Sequence, residues 1–316
     1  MSKPTIAISV GDLNGVGIEI ALKAHTEVSK LCNPIYCIDK DLLTQAAKLL
    51  NVTIPNDIIL RKVAKDFTIT PGIVTKESGR YSYDSFMHAV RLCEIKEANA
   101  VVTLPIHKEA WMLAGLEYKG HTDLLRKHFK KEAIMMLGCP QMFVALFTEH
   151  IPLKEVATSL TYNRLKRFLL DLHNSIQKEK IAVLGLNPHA GDNGVLGNEE
   201  EIITQVLYDI NQEIGFEQFV GPIVPDVAFA PYFRKNYNYF VAMYHDQGLA
   251  PLKALYFDES VNISLNLPII RTSVDHGTAF DIAYKSKAHT LSYINAIKSA
   301  ITFIKDLNKI SKNKSS

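Results

Sequence analysis

The chain has 316 residues, of which 47% are hydrophobic and 22% are charged. This length predicts one large α/β unit or two domains, and the ordinary composition excludes disordered, collagen-like and coiled-coil proteins. The formal charge of +2 predicts no nucleic-acid partner, and no apolar run is long enough to predict a membrane span.

Short apolar runs alternate with amphipathic segments, beginning with a predicted strand at 6–10 and a predicted helix at 18–25. Further strands are predicted at 100–104, 134–137, 143–147, 181–186, 239–244 and 261–265. Further helices are predicted at 81–96, 123–129, 163–176, 199–214 and 291–307, with Thr122 as the N-cap of the helix at 123–129. This alternation favours a mostly parallel sheet with helices on both of its faces.

The N-terminus and the cysteines predict a cytoplasmic protein. A short basic start leads directly into the first strand, without the apolar region and cleavage site of a signal peptide. The four cysteines, Cys32, Cys37, Cys93 and Cys139, include no C-x-x-C pair and are too few for a disulfide framework. We expect reduced thiols.

Three histidines directly follow apolar runs: His150, His189 and His245. Ligands of open α/β sheets bind outside the carboxyl ends of the strands, which is where these side chains are expected. Imidazole is the commonest metal ligand, and three protein ligands with one open position are typical of catalytic zinc. The sequence therefore predicts a shared metal site, with three separate structural or surface histidines as the alternative.

A glycine-rich turn at 11–17 follows the first predicted strand, with glycines at positions 11, 15 and 17. The spacing matches neither the dinucleotide-binding fingerprint nor the P-loop. A phosphate-binding loop and a tight turn between strand and helix are both open interpretations.

Two cations lie in apolar surroundings, and one predicted helix start is polar. Lys253 and Arg271 need an anionic partner, which is either a phosphate or carboxylate ligand or an internal carboxylate. His121 and Thr122 at a helix start offer an anion site or simple helix capping.

Seven segments carry a joint pattern: VTLPIHK at 102–108, GHTD at 120–123, TEHIPL at 148–153, LNPHAGD at 186–192, YHDQG at 244–248, VNI at 261–263 and RTSVDHGTA at 271–279. In this order they resemble the 4-hydroxythreonine-4-phosphate dehydrogenase family, from Gly11 to about Lys285. The chain departs from the family at Leu13 and Asn14, where Pro-Ala is usual, and at Leu104, where Gly is usual.

The resemblance implies an enzyme of vitamin B6 biosynthesis that oxidises 4-phosphooxy-L-threonine at its 3-hydroxyl with NAD or NADP. The resulting 3-oxo acid loses carbon dioxide to give 3-amino-2-oxopropyl phosphate. It also implies the α/β/α fold of isocitrate and isopropylmalate dehydrogenases, with a central cleft between two subdomains. These are expected at 1–118 with 256–316, and at 119–255. A homodimer with active sites shared across the interface is expected, the second subdomain carrying the interface.

The resemblance also assigns site residues. One divalent metal ion per active site (Zn²⁺, Co²⁺ or Mg²⁺) is expected on three histidines drawn from both subunits, which are His150, His189 and His245. Contacts with the small phosphorylated substrate map to His121, Thr122, Lys253, Asn262 and Arg271. A cofactor loop maps to His276, Gly277, Thr278 and Ala279, with a turn capped by Thr278 as the alternative. Asp246 and Asp226 are candidates for proton transfer or for orienting the metal ligands.

Two other functions compete with this one. The nearer is a paralogous dehydrogenase that acts on a 4-phosphorylated four-carbon sugar acid. The further is a metal-dependent hydrolase or lyase whose three histidines activate water without a nicotinamide.

Overall fold

The computed structural model describes residues 3–63, 66–176 and 180–313. Strands and helices alternate in the first part of the chain, in the order β1 (Thr5–Ser9), α1 (Gly17–Leu31), β2 (Asn33–Cys37), α2 (Lys40–Leu50), β3 (Ile59–Arg61), α3 (Lys76–Glu94), β4 (Ala100–Thr103), α4 (Lys108–Leu113) and α5 (His121–Phe129).

The middle part contains β5 (Ile134–Cys139), β6 (Met142–Leu146), α6 (Val156–Ser159), α7 (Tyr162–Ser175), β7 (Ile181–Leu184), α8 (Glu199–Ile214), β8 (Phe219–Ile223), α9 (Pro225–Ala228), α10 (Pro231–Arg234), β9 (Tyr239–Ala242) and α11 (His245–Tyr256). The last part contains β10 (Val261–Leu265), β11 (Arg271–Val274) and α12 (Leu291–Asn313). Short 3-10 segments lie at Leu153–Glu155 and Phe280–Ile282, and a turn with positive φ angles lies within Pro188–Gly194.

The predicted strands and helices are all present, with shifted ends, and the fold is a mixed α/β fold. The predicted N-cap at Thr122 is wrong. Helix α5 begins at His121 with Gly120 as its N-cap, because the chain enters the helix through a φ of 152° at Gly120, which glycine adopts most readily.

The chain forms two compact units. The first comprises residues 1–131, 261–263 and 267–316, and the second comprises residues 132–260 and 264–266. In the first unit the strand order is β3-β2-β1-β4-β11, with parallel pairing throughout. In the second unit the order is β5-β6-β9-β7-β8, where β5 and β6 are antiparallel and the other pairs are parallel.

The units differ from the expected subdomains at both boundaries. Residues 119–131 belong to the first unit, because Leu124 and Leu125 of α5 are buried in one apolar cluster with Phe86 and Trp111. Residues 256–260 belong to the second unit, where Tyr256 packs against the cluster between α11 and strands β6 and β9. His121 and Thr122 therefore lie in the first unit and not in the second.

Two further expectations concern membranes and thiols. In the described part of the chain, no helix has both the length and the apolar content that crossing a bilayer requires. The four cysteines are free thiols, as their spacing predicts, and burial raises the pKa of Cys32, Cys37 and Cys93 to about 12.

Candidate active site

The candidate metal histidines follow three neighbouring strands of the second unit. Strand β9 pairs in parallel with β6 on one side and with β7 on the other. His150 follows β6, His245 follows β9 and His189 follows β7. Because parallel strands end at the same edge of a sheet, all three histidines follow the carboxyl edge, where α/β proteins bind ligands.

His150 and His245 form a close pair. Their ring centroids are 5.4 Å apart and the rings are tilted by 45°, which is compatible with two imidazoles binding one ion at metal–nitrogen distances of about 2.0–2.1 Å. His245 Nδ1 lies 2.7 Å from Asp246 Oδ1. A carboxylate on Nδ1 directs Nε2 of the same ring toward a metal and increases its basicity. Nitrogen donors of this kind suit Zn²⁺ or Co²⁺ better than Mg²⁺.

His189 lies in a strained segment after β7. From His189 to Asn193, every residue has a positive φ, between 43° and 81°. Within the residues that the structure describes, no group of three or more His, Cys, Asp or Glu side chains is arranged to hold a metal ion. One chain thus offers two neighbouring imidazoles, and the shared metal site with its third ligand stays a prediction.

Arg271 is the buried cation of the first unit, with a side chain only 2% exposed. Its Nη1 donates to Asn262 Oδ1 at 3.2 Å, and its Nη2 donates to Thr103 Oγ1 at 2.8 Å. Both of these acceptors are neutral oxygens, and they hold the guanidinium in one orientation. Burial lowers the pKa of Arg271 to about 9, and a bound anion would stabilise the charged form.

His121 is half-buried at the start of α5. Its ring packs edge-on against Phe86 at 4.6 Å and Trp111 at 5.8 Å between centroids. Burial, followed by repulsion from Arg271, lowers the pKa of His121 well below 6.5, so the imidazole is neutral at pH 7. Its Nε2 has no hydrogen-bond partner among the described residues. Thr122, the next residue, is buried.

The predicted cofactor loop has an exposed half and a buried half. His276 and Gly277 are exposed, whereas the carbonyl of buried Thr278 accepts the backbone N–H of Val16 at 3.0 Å. The alternative reading of Thr278 as a helix N-cap is wrong. Ala279, with a φ of 44°, takes the N-cap position of the 3-10 segment that follows.

The glycine-rich turn packs against protein. A Cβ at Gly11 would lie 2.2 Å from Pro105 O, and a Cβ at Gly15 would lie 2.7 Å from Thr278 O. The whole stretch from 10 to 20 is buried. This close backbone packing favours the tight-turn interpretation over the phosphate-binding one.

The remaining candidates belong to the second unit. Asp246 and Asp226 are both exposed, and the helix that carries Asp226, α9, packs against the segment that carries His189. The ammonium group of Lys253 lies 5.3 Å from the centre of the Phe257 ring. The sequence analysis considered an anionic ligand or an internal carboxylate as the partner of Lys253. This cation–π contact is a third kind of partner.

Sequence reasoning assigned no role to Thr103, which binds the buried guanidinium, or to Glu200, which binds the start of the His189 segment. Thr103 was detectable, since it is the polar last residue of a buried strand. Glu200 carried no signal, because acidic residues in the first turn of a helix are common for electrostatic reasons.

Comparisons with known proteins agree on one family. A family model described as "Pyridoxal phosphate biosynthetic protein PdxA" matches residues 30–300. The 4-hydroxythreonine-4-phosphate dehydrogenase of Sulfurimonas denitrificans is 71% identical over 301 residues, covering 95% of this chain and 98% of the relative. The protein of the same name from Helicobacter pylori is 49% identical over 305 residues, covering 94% of this chain and 99% of the relative.

A solved structure agrees with these sequence matches. The crystal structure of a 4-hydroxythreonine-4-phosphate dehydrogenase from Burkholderia phymatum superposes with a TM-score of 0.81 at 31% identity, over 96% of this chain and 99% of that one. The similarity extends over nearly the full length of each protein, so it describes the whole chain and not one shared module. The chain belongs to the PdxA family of pyridoxal phosphate biosynthetic proteins.

Proposed function

We propose that this protein is an NAD(P)- and divalent-metal-dependent dehydrogenase of 4-phosphooxy-L-threonine. The product is the 3-oxo acid, which decarboxylates to 3-amino-2-oxopropyl phosphate. The observation that carries the proposal is the 71% identity, over 95% of this chain, to a protein named 4-hydroxythreonine-4-phosphate dehydrogenase. The pair of histidines at the carboxyl edge and the buried guanidinium supply donors for a metal and an anion.

His150, His245 and His189 are the proposed metal ligands. A divalent cation, when bound, lowers the pKa of a hydroxyl group that it contacts, and a nicotinamide accepts hydride. The chain itself contributes the imidazole nitrogens that would bind the ion. The contact of Asp246 with His245 Nδ1 keeps the Nε2 of this ring as the metal-facing atom. We propose Zn²⁺ or Co²⁺ ahead of Mg²⁺ because the donors are nitrogens.

Arg271, His121 and Thr122 are proposed to bind the anionic groups of the substrate. Asn262 and Thr103 hold the guanidinium in one orientation. The neutral His121 has an open Nε2 for a further hydrogen bond. Lys253 and Asn262 complete the proposed set. Exposed Asp246 and Asp226 are the candidates for accepting protons at the carboxyl edge.

The exposed half of the cofactor loop, His276 and Gly277, is the proposed contact for the nicotinamide dinucleotide, with Thr278 and Ala279 fixing the loop. A Cβ at Gly277 would meet no atom within 4 Å, so the backbone there is open to close approach by a ligand. We further propose the isocitrate and isopropylmalate dehydrogenase fold, a cytoplasmic location and a homodimer whose active sites combine ligands from both copies.

A direct test is NAD(P) reduction by metal-stripped protein given 4-phosphooxy-L-threonine, with Zn²⁺, Co²⁺ or Mg²⁺ added back. We expect metal-restored turnover by the wild type, none by His150→Ala, and wild-type turnover by His289→Ala, which removes an exposed histidine elsewhere. A four-carbon sugar-acid phosphate is tested in parallel. Turnover of that compound alone would assign the chain to the paralogous dehydrogenase. Metal binding without NAD(P) reduction of either compound would favour a hydrolase or lyase.

A further inference from the structure

Buried side chains extend the connections of the sheet beyond the ends of the histidine-bearing strands. Strand β9 ends at Ala242 and β7 ends at Leu184. Directly after them, Gln247 Oε1 accepts the backbone N–H of Met243 at 2.7 Å, and Gln247 Nε2 donates to the carbonyl of Gly185 at 2.7 Å. A side-chain amide therefore links the two strand ends.

A second side chain makes the same kind of link on the other side of β9. The Thr148 hydroxyl donates to the carbonyl of Met243 at 2.6 Å, and the Thr148 backbone N–H approaches the same oxygen at 3.2 Å. Thr148 is 1% exposed and Gln247 is 9% exposed. We call Thr148, Met243, Gln247 and Gly185 the strand-end bridge.

The strand-end bridge lies close in sequence to each candidate ligand. His150 is two residues after Thr148, His245 is two residues after Met243, and His189 is four residues after Gly185. Both ends of the Gln247 amide are used, one as acceptor and one as donor, so only a side chain with both functions satisfies the two backbone groups.

We propose that Gln247 is a positioning residue that fixes the strand end carrying His245 against the end of β7, and that Thr148 fixes the spacing of the strand ends carrying His150 and His245. This role rests on the proposed metal-dependent function. Metal ligation tolerates displacements of only about 0.2 Å in ligand distance, and groups that orient ligands typically affect metal affinity by about 10–100-fold. Buried hydrogen bonds that fix the ligand-bearing turns are suited to keep the metal–ligand distances within that limit.

A matched control is available at the opposite edge of the same unit. Asn211 Nδ2 donates to the carbonyl of Phe219 at 2.8 Å, and Asn211 Oδ1 accepts the N–H of Phe219 at 3.0 Å. Phe219 begins β8, so this amide also joins backbone groups, but at the amino end of a strand. Asn211→Leu and Gln247→Leu both remove a bridging amide without adding charge.

The experiment titrates Co²⁺ into the full-length, metal-stripped protein and follows the visible absorption of the bound ion. Thermal unfolding of the metal-free protein is measured in parallel. We expect Gln247→Leu to raise the Co²⁺ Kd by about 10–100-fold and to change the absorption bands. Asn211→Leu is expected to lower the unfolding temperature to a similar extent while changing Kd less than about twofold. Wild-type Kd and bands in Gln247→Leu, or an equal loss in Asn211→Leu, would overturn the proposal.

Thr148 provides a milder pair that tests the same role if Gln247→Leu does not fold. Thr148→Val removes only the hydroxyl bond, whereas Thr148→Ser keeps it. We expect weaker Co²⁺ binding in Thr148→Val and wild-type binding in Thr148→Ser, and equal binding by the two variants would overturn the proposal. If the wild type binds no Co²⁺, the metal-dependent function fails and this role fails with it. If the wild type binds Co²⁺ and the variants match it, only the positioning role fails.

Discussion

Glu200 Oε1 lies 2.7 Å from the backbone nitrogen of Asn187, where the chain leaves β7 and approaches the turn that carries His189. The same oxygen accepts the N–H of Leu186 at 2.8 Å, and Oε2 accepts Asn187 Nδ2 at 2.9 Å. The turn that follows has positive φ from His189 to Asn193, a conformation that costs on the order of 1–3 kcal/mol for a residue other than glycine. The bonds to Glu200 help to offset that strain.

Replacing Glu200 should therefore destabilise the fold. Glu200→Ala leaves the backbone N–H groups of Leu186 and Asn187 without their acceptor, so we expect a loss of about 2–4 kcal/mol in the free energy of unfolding, measured with urea. Glu200→Gln keeps one acceptor oxygen and should lose less. The exposed neighbour Glu201 provides the control, because Glu201→Ala should change stability by less than about 0.5 kcal/mol. Equal losses at positions 200 and 201 would contradict the assignment.

Mixing two inactive variants tests whether the metal site is shared between copies. His150→Ala and His189→Ala each remove one proposed ligand. If His189 serves the partner's site, a mixed dimer contains one intact site and one doubly defective site. Equal mixing after subunit exchange should then restore about a quarter of wild-type turnover, because half of the dimers are mixed and each has one of two sites. No restoration, in mixtures shown by mass spectrometry to contain mixed dimers, would place all ligands in one chain.

Arg271 should affect substrate binding more than an arginine outside the site. Lysine cannot donate to Asn262 and Thr103 in the geometry of a guanidinium, so Arg271→Lys should raise the KM for the phosphorylated substrate by about tenfold or more. Arg234 is a matched control, since it also bonds a backbone carbonyl and a hydroxyl, those of Phe229 and Tyr256. Arg234→Lys should leave KM within about twofold. Steady-state kinetics at saturating NAD(P) distinguishes these outcomes.

The lowered pKa of His121 predicts a dependence of stability on pH. Its pKa is lowered well below 6.5 in the folded protein, so below pH 6.5 the unfolded chain binds a proton that the folded chain does not. The contribution of this residue to stability therefore falls as pH drops below about 6.5, by up to about 1.4 kcal/mol per pH unit.

Urea unfolding between pH 7.5 and pH 5.5 measures this slope. His121→Gln removes the titrating group and should make the decline shallower than in the wild type. His289→Gln replaces an exposed histidine and should leave the slope unchanged. Parallel slopes for the wild type and His121→Gln would show that folding does not lower the pKa of His121.

Gly248 permits close packing of α11 on the sheet. A Cβ at this position would lie 2.4 Å from Val144 Cγ1 and 2.8 Å from Ala242 Cβ. Gly248→Ala should therefore lower the free energy of unfolding by about 1–3 kcal/mol through overpacking. Adding Val144→Ala should recover part of the loss, since the two sites are in contact. Simple additivity of the two losses would contradict this account.

Local patterns in the sequence predicted most strands and helices, because the alternation of apolar and polar residues reflects which face of an element is buried. Helix α11 shows the limit of that reasoning. The sequence analysis predicted no helix at 245–256, and Gly248 and Pro251 are unfavourable inside helices, yet the helix runs from His245 to Tyr256. Packing against β6 and β9 outweighs the local cost of both residues.

The sequence by itself determined the family, the α/β alternation and the histidines that follow apolar runs, since each of these is written in short contiguous segments. Only the tertiary structure decided that β9 lies between β6 and β7, which brings together the ends that precede His150, His245 and His189. The tertiary structure alone revealed that Glu200, Gln247 and Thr148 support the histidine-bearing turns. Each of them bonds a residue that lies 13 to 95 positions away along the chain. Such contacts depend on strand order, which local residue patterns do not encode.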